Sequence, residues 1–434
     1  MKNYKKVYAA FILAGGLILH GCNGIFDDLA INPNQPSMGA YFTSPSAVND
    51  AVMTMYGYMS TQRCLGASGS KTTIIRSDEA SSNSDYGKPG MFGADLNASY
   101  YTIEQPYTLM YTTASQASYI IETAPSVDFS GNEELRNAYM GEAYFWRAFA
   151  HYYLLINFRN ISPIRQMPRN GDDYVRPLEK PAAVWNFIQE DLAHAKELLP
   201  VKGYWDSKNA GRVTKASAAA LLGKAYLYRS GIEQYYGEDK TTFYSEAAKE
   251  FGDVIDGKYG TYDLTKNYAD NFDVAHENNE ESILEFQFLG DVDNAGFNPG
   301  LATSGLAFDS RGLMLPGAGV GYEGVVHNWL YNAFVNSVDK DGYTDIRMFS
   351  TMIFNDLDAS IHLRNDAGGN PVRLEGPGGY KWEELYPAKN GKEGFATVSN
   401  PLAHSFKAGI RKGIDCSMPT QTEADGTPKL VRVG

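Results

Sequence analysis

One stretch of the chain, residues 141–158 (GEAYFWRAFAHYYLLINF), limits the possible folds more than any other. Read at about 3.6 residues per turn, it places its large apolar side chains on two neighbouring stripes. The stripes hold Phe145, Phe149, Tyr152 and Ile156, and beside them Ala143, Trp146, Ala150 and Tyr153. A helix that is apolar over so much of its circumference must be buried on several sides. The stretch therefore predicts the inner helix of a helical domain, with Pro163 stopping it just beyond its end.

Helical spacing recurs on both sides of this stretch and predicts a mainly α-helical fold. Ser44 is a capping residue for the first segment, and Pro200 closes the fourth. In the sixth segment the buried stripe is expected to run from Tyr244 to Ile255. The predicted helices cover residues 44–60, 107–123, 132–158, 181–199, 214–230, 242–256 and 326–335. Because they carry helical stripes, we expect the three tryptophans Trp146, Trp185 and Trp329 to lie in the core.

Small residues mark the expected helix crossings. Alanines beside Leu222 in the segment 214–230 allow two helices to approach closely. Successive antiparallel pairs of this kind resemble tetratricopeptide units, although the spacing departs from a strict repeat of about 34 residues. The helices therefore predict a degenerate helical-repeat scaffold with insertions.

Two long stretches lack helical spacing. Residues 66–97 are rich in Gly, Ser, Asn and Asp, and residues 290–324 are rich in Gly. Loops of this length in compact proteins are usually functional or disordered. Residues 282–289 (SILEFQFL) read as a strand, and residues 350–434 as irregular chain with strand-sized pieces.

The N-terminus has the pattern of a secretory signal. Three lysines precede an apolar run over residues 7–19 that is too short to span a bilayer as a helix. The run ends in Gly21 and Cys22, which makes it resemble a bacterial lipoprotein signal. We therefore expect residues 1–21 to be removed, Cys22 to be acylated, and residues 22–43 to form a lipid-anchored tether to the membrane. A plain signal peptide cut nearby, with Cys22 an ordinary thiol, is the alternative.

Composition excludes some classes of partner and scaffold. The formal net charge is −13, and no basic stripe is present, which argues against nucleic acid as a ligand. Apart from Cys22 the chain has only Cys64 and Cys416, too few for a disulfide scaffold. The sequence leaves open whether these two cysteines pair.

Motifs for catalysis and metal binding are absent from the sequence. None of the seven histidines stands in an H-E-x-x-H or H-x-x-x-H pair, and no nucleophile elbow has the required strand-turn-helix context. Residues 337–345 carry alternating acids before a glycine, as calcium loops do, but Met348 stands where an EF-hand has its closing Glu. We therefore predict a protein that is not an enzyme and has no catalytic residues, cofactor or metal, and we interpret residues 337–345 as a solvated turn, with calcium as the open alternative.

Several segments together resemble the SusD/RagB family of outer-membrane nutrient-binding lipoproteins of Bacteroidetes. Each motif is modest, but their order and the lipoprotein signal make the resemblance specific over roughly residues 22–430. The segments are residues 141–153 (GEAYFWRAFAHYY), 191–200 (DLAHAKELLP), 211–222 (GRVTKASAAALL), 267–273 (NYADNFD) with 277–280 (ENNE), and 345–347 (DIR).

The resemblance implies a mainly α, tetratricopeptide-like scaffold with a loop-rich, few-stranded ligand-binding region, over residues 44–434. Helical repeats would occupy approximately residues 107–260, and the binding region approximately 64–105 and 265–434. The implied function is a surface-exposed glycan-binding lipoprotein of the outer membrane, a lid over a SusC-like TonB-dependent transporter. Family members usually continue past a segment like residues 430–433 into a final helix pair, so we expect the C-terminus to be truncated or to lack its last repeat.

Candidate glycan contacts follow from the chemistry of sugars. Aromatic rings suit the apolar face of a pyranose, polar groups suit its hydroxyls, and loops on a rigid scaffold commonly present both. The 30 tyrosines of the chain supply such rings. The first loop offers Asp85, Tyr86, Phe92, Asn97, Tyr100 and Tyr101, and the second offers Phe297, Asn298, Phe308, Arg311 and Tyr322. Peptide cargo in the same role, or a scaffold that mainly binds the transporter, remain the alternatives.

Overall fold

The structure of the protein is a computed structural model. It describes residues 42–61, 63–65, 80–81, 97–167, 175–237, 239–272, 276–287, 325–326, 328–348, 352–353, 361–365, 367–370, 409–410, 420–422 and 428–430. Within these residues the fold is mainly α-helical, as predicted. Its helices are α1 (Pro45–Ser60), α2 (Tyr101–Thr123), α3 (Glu133–Phe158), α4 (Pro181–Leu198), α5 (Lys215–Tyr236), α6 (Tyr244–Ile255) and α7 (Asn328–Asn336).

Capping residues start the helices where the sequence predicts. The Ser44 side chain accepts a hydrogen bond from the Ala47 backbone N–H at the start of α1. Asn132 caps α3 by accepting from the Leu135 N–H. Thr214 opens α5 in a reciprocal capping box with Ser217.

Helix α2 starts earlier than predicted and α5 ends later, at Tyr236 instead of residue 230, while α3 ends at the predicted residue for a different reason. Helix α2 begins at Tyr101 rather than at residue 107, because the buried Pro106 is accommodated inside the helix instead of preceding it. Helix α3 ends at Phe158, well before Pro163, so the proline does not stop it. The end is made by Arg159, whose φ of 63° and ψ of −68° place it at the centre of a tight turn closed by the Asn160 N–H and the Phe158 carbonyl at 2.7 Å.

Helices α1 to α6 pack in the order of the sequence, each against the next, as in a helical-repeat scaffold. Helix α3 lies between α2 and α4, and its residues Phe145 and Trp146 are buried on all sides, which confirms the predicted inner helix. Gly141 lets α3 approach the end of α4, because a Cβ there would lie 2.9 Å from Leu199 Cγ. Trp185 of α4 is also fully buried, as predicted.

Two predicted apolar stripes are wrong. Trp329 is 46% exposed, because it lies on the side of α7 that also carries the exposed Asn332, Ala333 and Asn336, three, four and seven positions further along. In α6 the buried residues are Ala247, Glu250 and Val254, while Tyr244 and Ile255, the ends of the predicted stripe, are exposed.

The strands of the described residues are short and pair in twos. Residues 282–287, predicted to be a strand, form none. Side chains bond to their backbone instead, since Ser217 Oγ donates to the Ile283 carbonyl at 3.0 Å and Asn279 Oδ1 accepts from the Ser282 N–H at 3.1 Å. The antiparallel pairs are β1 (Ala80–Ser81) with β2 (Val325–Val326), β3 (Met352–Ile353) with β4 (Gly409–Ile410), and β5 (Thr420–Thr422) with β6 (Pro428–Leu430).

Among the helices of the described residues, none combines the length and the apolar character needed to cross a bilayer. The predicted signal, the acylation site Cys22 and the tether up to residue 41 lie outside the described residues, while residues 42–43 at the end of the predicted tether are described.

Candidate functional site

The described residues include part of the predicted glycan site. Asn97 and Tyr100 are described, and Tyr101 is described as the first residue of α2. The other predicted contacts lie outside the described residues: Asp85, Tyr86, Phe92, Phe297, Asn298, Phe308, Arg311 and Tyr322.

Asn97 and Tyr100 come together in the turn that starts α2. Asn97 Oδ1 accepts from the Ser99 N–H at 3.0 Å, and the Asn97 carbonyl accepts from the Tyr100 N–H at 3.1 Å. Tyr100 is the N-cap, with its carbonyl accepting from the Ile103 and Glu104 N–H groups. The turn thus fixes where the first loop joins the scaffold, with Asn97 exposed and Tyr100 half-buried.

The pair β1 and β2 joins the two predicted ligand loops. Ala80 pairs with Val326 and Ser81 with Val325 in an antiparallel register. The chain after Ser81 leads to Asp85 and Tyr86, and the chain before Val325 leads back to Tyr322. Because the register is antiparallel, both stretches leave the ladder at the same end. Strand β4 also lies beside β2, so the pairs β1–β2 and β3–β4 are neighbours.

A second attachment holds the start of the second loop on the scaffold. The Phe286 ring lies 5.8 Å from that of Trp146 in α3, and Leu284 also packs on the core. Gly211, just before α5, has a φ of +79°, and a Cβ on it would overlap the Glu285 carbonyl oxygen. Residues 284–287 therefore pass directly over the backbone that leads into α5.

A buried ionic cluster supports this attachment and was missed by the sequence reasoning. Arg212 donates to Glu142 of α3 at 2.7 Å, and both side chains are almost fully buried. Tyr56 Oη donates to the same carboxylate at 2.6 Å and accepts from the Val213 N–H at 2.8 Å. Burial raises the pKa of Glu142, and the neighbouring Arg212 opposes that shift. The signal for the cluster was the acidic residue Glu142 within the mainly apolar stretch 141–158.

A second buried cluster joins α3 to α4. Arg147 forms a forked pair with Asp191, at 2.7 and 2.8 Å. His151, one turn further, lies with Nδ1 2.7 Å from the Arg147 carbonyl and accepts from the Ile164 N–H at Nε2. Burial lowers the pKa of His151 to about 3, so the ring is neutral at physiological pH. These two clusters hold the helices of the scaffold in position, and their charged groups pair with each other inside the protein.

The possible metal ligands and the cysteines among the described residues have structural contacts. No group of His, Cys, Asp or Glu side chains in the described ranges is arranged to hold a metal ion. Asp339, in the predicted calcium-like turn, accepts from the Asp341 and Tyr343 N–H groups and pairs with Arg364. Cys64 is a buried free thiol with its pKa raised by burial to about 12, and Cys416 lies outside the described residues.

Comparison with known proteins finds similarity to SusD-like proteins. Residues 30–227 match a SusD-like family described as starch-binding and associating with the outer membrane. A SusD-like protein of Bacteroides ovatus is 26% identical over 293 residues, which are 67% of this chain and 51% of that protein. The chain spans about half the length of the curated relatives it matches.

Solved structures agree in fold. A laminarin-binding SusD-like protein superposes with a TM-score of 0.57 at 22% identity, over 72% of this chain and 67% of the other. A structure with a xylogluco-oligosaccharide superposes with a TM-score of 0.56 at 19% identity, over 88% of this chain and 66% of the other. The structural likeness establishes the fold, and the sequence of the helical scaffold is similar to that of SusD-like proteins.

Proposed function

We propose that this protein is a glycan-binding lipoprotein of the outer-membrane surface. It captures oligo- or polysaccharides, acts as the lid of a SusC-like TonB-dependent transporter, and makes or breaks no covalent bond. Cys22 carries the lipid after removal of residues 1–21, residues 22–43 are the tether, and residues 44–434 form the binding body. In this proposal the glycan contacts are those of the two loops, including Asp85, Tyr86 and Tyr322.

The pairing of β1 with β2 carries the proposal. It brings together residues 80–81 and 325–326, which are far apart in the sequence and each precede or follow a segment rich in candidate sugar contacts. Tyr322 stands three positions before Val325, and Tyr86 stands five positions after Ser81. Since a residue spans at most about 3.6 Å, each of these tyrosines is within reach of the same end of the ladder.

The known relatives support the glycan as ligand. The family is described as starch-binding, and the two solved structures of the same fold are a laminarin-binding protein and one with a xylogluco-oligosaccharide. Aromatic side chains beside polar groups on loops suit a neutral saccharide. An anionic polymer is less suitable, because the net charge of the chain is −13.

Calorimetric titration of the purified protein with a panel of oligosaccharides, with peptides as a second arm, tests the proposal. We expect a saccharide to bind, and Tyr86→Ala and Tyr322→Ala each to weaken it by about tenfold, the equivalent of about 1.4 kcal/mol. Tyr235→Ala is the matched control, because Tyr235 is 84% exposed on the last turn of α5, outside both loops. Binding of peptides alone, or equal effects of all three variants, would contradict the glycan site.

Fractionation and co-purification test the membrane and partner assignments. We expect Cys22→Ala to release the protein from the membrane fraction, because the acyl chains on that thiol are the proposed anchor. A tagged wild-type protein should co-purify with a TonB-dependent transporter from detergent extracts. Retention of Cys22→Ala in the membrane, or purification without a transporter, would remove the corresponding part of the proposal.

A further inference from the structure

Gly211 lies where the chain crosses itself beneath the start of the second loop. Its φ of +79° is in the left-handed region, which favours glycine. The absence of a side chain matters as well, since a Cβ would overlap the Glu285 carbonyl oxygen and lie 2.7 Å from Gln287 Cγ. The backbone at 285–287 can occupy its position only because residue 211 has no Cβ.

The residues that follow Gly211 are held in place by buried contacts. Arg212, the next residue, is held by Glu142, and its guanidinium lies between the Trp205 and Tyr139 rings at 4.3 and 5.0 Å. Val213 donates its N–H to Tyr56 Oη at 2.8 Å. Since these groups are buried in the scaffold, residue 211 cannot move aside to relieve an overlap.

The segment that crosses over Gly211 is held as one piece. Asn278 and Gln287 exchange hydrogen bonds through their side-chain amides, at 2.8 and 3.1 Å. The Glu285 carboxylate accepts from the Asn278 N–H and from Ser282 Oγ. A shift at 285–287 would therefore carry residues 278–287 with it, and the chain that continues to Phe297 would start from a different place.

We propose that Gly211 is a positioning residue for glycan capture, a role that rests on the function proposed above. By letting residues 285–287 lie directly on the scaffold, it sets the origin of the second loop, while β2 ties the far end of that loop to the first. Gly211 thereby determines where the described chain before the second loop lies on the scaffold. Gly211 touches no ligand and acts through residues 285–287.

The chain offers a matched control for this role. Gly203 has a similar φ of +95°, but a Cβ on it would meet nothing within 4 Å. Gly203→Ala therefore introduces the same kind of backbone strain without the overlap. A comparison of Gly211→Ala with Gly203→Ala isolates the contact with the crossing segment.

The experiment measures glycan affinity and amide hydrogen exchange on the full purified chain. We expect Gly211→Ala to weaken binding of the saccharide that the wild type binds by on the order of tenfold relative to Gly203→Ala. Exchange should accelerate at residues 282–287 and remain unchanged in α3. Gly211→Asn should stay defective, because Asn tolerates a positive φ but keeps the overlapping Cβ. Restoration of binding by Asn would show that strain alone mattered and would overturn the proposal.

Phe286→Ala provides a second route if Gly211→Ala fails to fold. It removes the ring that lies on Trp146 and loosens the same segment without backbone strain. We expect weaker saccharide binding and faster exchange at residues 282–287 for this variant too. If the wild type binds no saccharide, the proposed function fails. If the wild type binds and both variants bind as tightly as Gly203→Ala, only the positioning role of Gly211 is overturned.

Discussion

The helical scaffold and the region after α6 use charged residues in opposite ways. In the scaffold, the Arg212 and Glu142 side chains are 3% and 0% exposed and fully engaged with each other and with neighbouring groups. After α7, Arg364 pairs with Asp341, and both side chains are 50% exposed. A buried pair cannot lose one partner without leaving an uncompensated charge, whereas water replaces a lost partner at the surface. The buried Arg212–Glu142 pair of the scaffold is therefore intolerant of change, while the exposed pair of the later region can vary.

The difference fits a division of labour between the two regions. A site that holds a flexible polymer needs loops that can change in sequence, on a support that keeps them in register. Buried ionic clusters fix the relative positions of α1, α3 and α5, because Tyr56, Glu142 and Arg212 come from or directly precede these helices. Variants of the buried and the exposed residues test whether this contrast holds.

The largest effect is expected from Glu142→Ala. It leaves Arg212 buried without its carboxylate and Tyr56 without its acceptor, so the free energy of unfolding should fall by about 3–5 kcal/mol. Urea denaturation followed by circular dichroism measures the change. A loss below about 1 kcal/mol would mean that this buried pair behaves like a surface pair, and the contrast would fail.

The second effect is a pH dependence set by His151. Its folded-state pKa of about 3 lies below the ordinary value of 6.5 because burial disfavours the charged ring. Between these values the unfolded chain binds the proton and the folded chain does not. The free energy of unfolding should therefore fall as the pH is lowered from 6.5 towards 3, by up to about 1.4 kcal/mol per pH unit.

The control for that prediction is His151→Gln. The amide can donate to the Arg147 carbonyl and accept from the Ile164 N–H, as the ring does, but it does not titrate. Unfolding measured from pH 7 to pH 4 should show a shallower slope for the variant. Identical slopes in the two proteins would show that His151 contributes nothing to the acid sensitivity.

The third effect concerns the helix crossing at Gly141. A Cβ there would lie 2.9 Å from Leu199 Cγ and 3.0 Å from the Leu199 nitrogen, so Gly141→Ala should destabilise the fold by about 1–3 kcal/mol. At Gly231 of α5, an added Cβ would meet nothing within 4 Å. Gly231→Ala should therefore raise the free energy of unfolding by about 0.5–1 kcal/mol, because alanine has the higher helix propensity. Thermal unfolding of both variants should show shifts of opposite sign. Shifts of the unfolding temperature in the same direction would mean that the core rearranges to accommodate the added methyl group at Gly141.

The smallest effect is expected from Arg364→Ala. The side chain is 50% exposed and pairs with Asp339 and Asp341, so the free energy of unfolding should change far less than in Glu142→Ala. The change should also shrink at high salt, because screening weakens exposed pairs. A loss as large as that of Glu142→Ala would place this surface pair in the structural support of the fold.

The sequence predicts the helices of the scaffold well and their ends less well. Apolar periodicity locates α1, α3 and α4 and buries Trp146 and Trp185, because those positions follow from the helical repeat alone. The end of α3 is determined by the turn at Arg159, which no proline or glycine announces. Trp329 was misplaced because a nine-residue helix has few positions with which to define its buried side.

The candidate site is harder to predict, for two physical reasons. Loop residues follow no periodicity, so the choice of Tyr86, Phe297 or Arg311 comes from side-chain chemistry and stays a prediction. Contacts between segments far apart in the sequence, such as Gly211 with Glu285 or Ala80 with Val326, leave no local pattern. Even residues 282–287, whose composition favours a strand, are held by side chains and by the core.

The pairing of Ala80 with Val326 also bears on the order in which the chain folds. Its partners stand more than 240 positions apart, and closing so long a chain segment costs entropy that two residue pairs cannot offset. Helices α1 to α6 make mostly contacts between neighbours in the sequence, which form faster than such distant ones. The two loops should therefore meet only after the scaffold has brought their ends together. The ability to bind ligand would then arise in the last step of folding. A chain in which β1 and β2 had not yet paired would be helical but unable to bind.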